Sequence, residues 1–108
     1  MRSAADFQLV MRRGSRSGRD TVVVYVATTG NAHSMAGFAV SKAVGGAVQR
    51  NRVKRRLRAI SAELLPTLPQ GSGLVIRALP ASADAGFDAL AADVRGALAS
   101  ALKRSQRG

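Results

Sequence analysis

The chain has 108 residues, 17 of them Lys or Arg against 6 Asp or Glu, and that length suits a single domain over residues 1–108 rather than two undersized ones. Its 46% hydrophobic content supports a packed core and excludes global disorder; zero Cys and one His exclude a disulfide scaffold, a thiolate zinc site, a cysteine nucleophile and a paired-histidine metal site. A formal net charge of +11 calls for an anionic partner to relieve self-repulsion; nucleic acid is the usual one and an anionic membrane surface the competitor.

At the N-terminus no charged head is followed by a long apolar stretch, so nothing reads as a signal peptide and the cytoplasm is the expected compartment. Ser3 can cap a short helix with Asp6 three residues on; Phe7, Val10 and Met11 share one face of it, and Gly14 suits its stop. Residues 15–20 are polar and basic and read as a loop. Thr21 to Thr28, rich in β-branched residues and holding Tyr25, reads as a strand, and its apolar run is far too short to cross a bilayer. Gly30-Asn31 marks a turn. Ala36 to Ser41 then reads as a second strand antiparallel to the first, with room for one further short strand between the two.

Gly45-Gly46 breaks the pattern, and a long helix runs from about Ala47 to Leu65, ended by Pro66. Pro66 to Gly73 reads as a loop, and Leu74 to Leu79 as a buried strand. Ser82 or Asp84 opens a last helix in which Phe87, Leu90, Val94, Leu98 and Leu102 keep a 3–4 spacing, leaving a basic, frayed tail from Lys103. The order helix, strands, helix, strand, helix makes an α+β fold, a two-layer α/β sandwich with helices packed on a sheet.

Charge is concentrated in the middle helix. No acid occurs between Asp20 and Glu63, while Lys42, Arg50, Arg52, Lys54, Arg55, Arg56 and Arg58 fall in that window. On a 100° wheel, Val53, Leu57, Ile60 and Leu64 span an arc of about 60° that faces the sheet. Arg50, Lys54, Arg58, Asn51 and Arg55 fill the next ~140°, with Arg52 and Arg56 beyond them. A merely solvated face normally alternates sign; Arg50, Lys54 and Arg58 are like charges at i, i+4, each pair costing a few tenths of a kcal/mol. The pattern points to phosphate as the counterion. Arginine outnumbers lysine 14 to 3, favouring fork-shaped contacts to phosphates and base edges, and Asn51 adds a donor and an acceptor suited to a base or a 2′-hydroxyl.

Gly45-Gly46 fits either a phosphate approaching backbone amides at a helix start or a plain strand-to-helix turn; no Gly-Lys-Ser/Thr follows, which excludes a P-loop. The six acids, Asp6, Asp20, Glu63, Asp84, Asp88 and Asp93, offer no convergent carboxylates in the basic region for a metal nuclease. Asp84 and Asp88 suit the first turn of a helix, and His33 falls in a loop. No catalytic residue and no metal ligand is expected of the chain itself.

The stretch Ser41-Lys42-Ala43-Val44-Gly45-Gly46-Ala47-Val48-Gln49-Arg50-Asn51-Arg52-Val53-Lys54-Arg55-Arg56-Leu57-Arg58 resembles the signature of the bacterial ribonuclease P protein component. In that family a strand ending in Ser-Lys leads through glycine into Ala-Val-x-Arg-Asn-Arg-x-Lys-Arg-x-x-Arg. Asp6-Phe7 through Gly14 is similar to the family's first helix, Val24-Tyr25 to its first long strand, and Val75-Ile76-Arg77 with Pro80-Ala81 to its last strand and exit. The resemblance implies an α/β sandwich with a left-handed crossover. It also implies the small subunit of a ribonucleoprotein that removes the 5′ leader from precursor tRNA, with the catalytic magnesium ions held by the RNA subunit and none by the protein alone. The implied partners are the catalytic RNA and precursor tRNA, with no membrane and no protein partner.

By position, the resemblance assigns RNA binding to Lys42, Arg50, Asn51, Arg52, Lys54, Arg55 and Arg58. It assigns a leader cleft to Phe7, Met11 and Tyr25, where stacking on bases contributes about 1–3 kcal/mol each. For Phe7 a core role is the competing reading. Met11 stands where many members carry a second aromatic, Ala78 and Leu79 where some carry basic residues, and most of the basic arm that usually precedes the first helix is lacking. Two other functions compete: a structural RNA binder, such as a ribosomal protein of related sandwich fold, and a DNA-binding module.

Overall fold

A computed structural model of the protein describes residues 4–30 and 32–107. Their elements, in chain order, are α1 (Ala4–Arg13), β1 (Ser15–Gly18), β2 (Val22–Thr28), β3 (Met35–Ala39), α2 (Ala47–Leu64), β4 (Ser72–Ala78) and α3 (Phe87–Arg107), with 3-10 turns at Leu65–Thr67 and Pro80–Ala83. This is the expected α+β sandwich; Ser3, the proposed first cap, and Asn31 of the turn lie outside the described residues.

The strand order is β1-β2-β4-β3. β4 pairs antiparallel with β2, placing Ile76 opposite Val24, and parallel with β3, placing Phe38 beside Ile76. Period-2 alternation then sorts the side chains. Val22, Val24, Val26, Leu74, Ile76 and Ala78 face α2 and α3, whose Val53, Leu57, Ile60, Leu90, Val94 and Leu98 complete the main core. On the opposite face α1 lays Val10 over Tyr25 and Val75. Alanines at 91, 97 and 101 are buried where α3 crosses β1 and β2, so that helix lies close to the sheet.

Three expectations change. The strand at 35–39 is not antiparallel to β2 and does not touch it in the ladder; β4 lies between them. The physical reason lies in the loop after β2, whose polar groups bond the turn that enters β4 rather than closing a hairpin. The Thr29 amide donates to the Gly71 carbonyl at 2.8 Å, Gln70 Nε2 to the Ala32 carbonyl at 2.9 Å, and the Ser72 amide to Ser34 Oγ at 3.1 Å. Gly71 has φ +80°, a value suited to glycine in this turn. β4, buried along its length except for Arg77, lies inside the sheet, while β3, only partly buried, forms the edge.

Second, the polar stretch expected as a loop holds β1, whose Ser15 to Gly18 pair with Val26 to Val23; among the described residues no extra strand lies between β2 and β3. Third, α3 starts at Phe87 rather than Ser82 or Asp84. Proline opens a separate 3-10 turn there, the Gly86 carbonyl accepts the first helical bond from the Leu90 amide at 3.0 Å, and α3 continues through the expected frayed tail to Arg107. Phe87 is 42% exposed and stands off the core stripe.

The β1–β2 turn is fastened to α3. Arg19 Nη2 donates to the Gly96 carbonyl and to Ser100 Oγ, both at 3.0 Å, and Thr21 Oγ1 donates to Asp93 Oδ2 at 2.7 Å. The β3–α2–β4 connection joins adjacent parallel strands; it is the connection for which the resemblance implies a left-handed course.

Candidate nucleic-acid interface

A tight turn delivers the chain into α2. The Val44 amide donates to the Ser41 carbonyl at 3.1 Å and the Gly45 amide to the Lys42 carbonyl at 3.2 Å. Gly45 sits at φ +152°, where a Cβ would run into the Gln49 amide. The Gly46 amide is already taken by Gln49 Oε1 at 3.0 Å. Both glycines therefore have a local role in the turn, and the Gln49 side chain occupies one amide that a phosphate would otherwise meet.

Within α2, Val53, Leu57 and Ile60 are buried as the wheel places them; Ser61 is buried beside them while Leu64 is half-buried. Asn51, Arg52, Lys54, Arg55 and Arg58 are exposed, as is Lys42 in the preceding turn. Arg50 is half-buried, and its Nε is shut off from solvent without a hydrogen-bond partner. Arg56 turns away from the group: its Nη1 donates to the Ala85 carbonyl at 2.9 Å and ties down the segment before α3. Among the described residues the one ion pair is Arg95–Glu63 at 3.3 Å, with both partners exposed and worth about 0–1 kcal/mol. The exposed cations of α2 thus have no ion-pair partner among the described residues, and Val48, 73% exposed, adds an apolar contact surface at the start of the same helix.

Beside this face a cleft of about 370 Å³ opens over the β3 edge, lined by Phe7, Ala36, Gly37, Phe38, Lys54 and Arg58. The cleft therefore spans both sides of the sheet, with α1 on one and α2 on the other. Phe7 packs on the Val10–Tyr25–Val75 cluster and also lines this cleft. Met11 packs on the same cluster. Tyr25 is only 5% exposed; its rim borders a different groove, with Arg16, Arg77 and Arg104. So Phe7, Met11 and Tyr25 are brought together, but Phe7 and Tyr25 present themselves to different openings.

Sequence reading passed over Arg16 and Arg104 and the Ala36–Gly37–Phe38 wall. The available signal for the groove was Arg77, a single cation interrupting an apolar strand. His33 is exposed in the β2–β3 loop. Among the described residues no three His, Cys, Asp or Glu side chains form a group that could hold a metal ion, and no helix is long and apolar enough to cross a membrane.

Similarity to known proteins agrees with this geometry. A family model described as Ribonuclease P matches residues 1–102. The ribonuclease P protein component of Kocuria rhizophila is 53% identical over 104 residues, spanning 96% of this chain and 92% of that one. The protein of the same name from an Arthrobacter species is 48% identical over 105 residues, spanning 96% and 77%. A solved structure of a Staphylococcus aureus RNase P protein mutant with defective mRNA degradation activity matches with a TM-score of 0.83 at 25% identity, covering 94% of this chain and 86% of that one. A match of this extent in both sequence and fold establishes that the chain belongs to the bacterial ribonuclease P protein component family.

Proposed function

We propose that the chain is the protein subunit of the ribonuclease P ribonucleoprotein, a single RNA-binding domain of the cytoplasm that assists endonucleolytic removal of the 5′ leader from precursor tRNA. In this reading the RNA subunit carries the chemistry and its magnesium ions, and the protein supplies binding. Lys42, Arg50, Asn51, Arg52, Lys54, Arg55 and Arg58 contact the catalytic RNA and adjoining tRNA. Phe7, with Met11 and Tyr25 behind it, lines the path of the leader. No protein partner and no membrane is part of the proposal.

One observation carries it: α2 holds its apolar stripe against the sheet while presenting Arg52, Lys54, Arg55 and Arg58 to solvent with no ion-pair partner among the described residues. Such a face is stabilised by a polyanion, whose condensed counterions are released on binding. Forked guanidinium groups suit phosphate oxygens, and membership of the family supports RNA as the polyanion.

The test is reconstitution. Added to a matching RNA subunit at low magnesium, the chain should restore cleavage of the leader; failure to do so sinks the reading. Excess duplex DNA should fail to displace precursor tRNA, whereas displacement at comparable concentration would favour a DNA-binding module.

A further inference from the structure

An apolar side chain stands uncovered among the cations of α2. Val48 is 73% exposed, and with Phe87 it is one of two large apolar side chains left exposed among the described residues. Phe87 opens α3, whereas Val48 belongs to the first turn of α2. On a helix surface a residue neighbours those three and four positions on, and the one at seven follows in the same row. For Val48 these are Asn51, Arg52 and Arg55, all exposed. The two residues before it, Gly46 and Ala47, are exposed too, and a Cβ built on Gly46 would meet nothing within 4 Å. A small uncharged surface thus lies open to solvent at the head of the cationic face.

Local rules do not account for the valine. The first turn of α2 carries no acid, although an acid there would favour the helix dipole, and a β-branched residue is a weaker helix former than alanine or glutamate. Nor does the core use it, since the buried stripe begins at Val53. Departures from local preference of this kind mark contact sites. A carboxylate in that turn would repel a polyanion, whereas exposed methyl groups gain free energy in proportion to the apolar area that a partner covers.

The chemistry of RNA narrows what can cover them. A paired helix offers phosphates and 2′-hydroxyls, its major groove is too deep and narrow for side chains to read, and its base faces are stacked on one another. The face of a base drawn out of the stack is the broad apolar surface that RNA can present. Aliphatic side chains use unstacked base steps in this way in bent DNA.

We propose that Val48 seats against the face of an unstacked base of the RNA subunit while Arg52 and Arg55, about 6 and 10 Å further along the axis, hold adjoining phosphates. In this way α2 recognises an unpaired nucleotide and not the phosphate backbone alone. The proposal rests on the reading of the chain as the ribonuclease P subunit and deepens its assignment of α2, in which Val48 has no contact of its own.

The experiment measures binding of the full chain to the RNA subunit across a salt series, with a fully paired RNA duplex as the second ligand. Val48→Ser should weaken binding to the RNA subunit roughly tenfold, or 1.4 kcal/mol, with an unaltered log–log salt slope, because no phosphate contact is lost. Duplex binding should stay the same. Arg52→Ala provides the contrasting signature, a lowered slope on both RNAs. No loss of affinity in the Val48 variant would mean that its methyl groups remain in water. A lowered slope would mean that the valine only places the arginines, and an equal loss on the duplex would mean that no unpaired base is involved. Each of these results overturns the proposal. Should Val48→Ser melt early, Val48→Thr carries the test, since it keeps the branch at Cβ; the same unaltered slope and a loss confined to the RNA subunit are expected. The outcomes separate from those of the proposed function. Restored leader cleavage with unchanged binding in the Val48 variants sinks only the base contact, whereas failed reconstitution by the unmodified chain sinks the subunit reading.

Discussion

Arg50 and Arg52 belong to the same motif but have different surroundings. Arg52 is exposed, while Arg50 is half-buried with an enclosed, unpartnered Nε, and an unsatisfied buried donor costs about 1–3 kcal/mol. Arg52→Ala is therefore expected to weaken RNA binding, lowering the log–log salt slope by up to ~0.7–0.9, with a thermal midpoint equal to that of the unmodified chain. An unchanged slope would mean that the helix face is merely solvated. Tyr25 requires a different experiment. At 5% exposure its truncation to Ala removes core contacts and is expected to cost about 3–5 kcal/mol in denaturant unfolding, so an affinity loss in that variant would not report on the leader. Phe7, half-buried and lining the cleft, is the better probe. Phe7→Leu should reduce affinity for leader-bearing tRNA more than for mature tRNA, and equal losses would count against the cleft.

At the scale of elements, two junctions position these surfaces. α1 ends at Gly14, whose amide donates to the Val10 carbonyl at 2.8 Å. A Cβ there would collide with that carbonyl oxygen and approach the Val26 carbonyl oxygen to 2.8 Å. Gly14→Ala is expected to lower stability by about 1–3 kcal/mol, seen as a lower denaturant midpoint, because the end of α1 and β2 must part to admit the methyl group. The second junction is Arg56 with the Ala85 carbonyl. Although Arg56 lies in the basic run, its guanidinium is engaged in tying down the segment ahead of α3. Arg56→Ala should therefore leave the salt slope of RNA binding unchanged where Arg52→Ala lowers it; an equal drop in both would place Arg56 on the RNA.

For the whole molecule, the sheet separates two cationic surfaces, the α2 face beside the β3 edge and the Arg16–Arg77–Arg104 groove near β1. The sequence by itself determined the elements with strong periodicity, the apolar stripe of α2 and the cations left off that stripe, because a 3.6-residue repeat assigns each side chain a direction without reference to the rest of the fold. Resemblance then supplied the family, through the dense run from Ser41 to Arg58. Only the tertiary structure decided that β4 rather than β3 lies beside β2, since strand order depends on long-range pairing and on a loop that bonds a turn some forty residues away. Tertiary structure also decided which of two similar arginines is free and which is tethered, and that Arg16, Arg77 and Arg104, scattered along the chain, share one hollow. Their meeting depends on strand register and on a helix end reaching around a sheet edge, and neither leaves a local pattern in the order of residues.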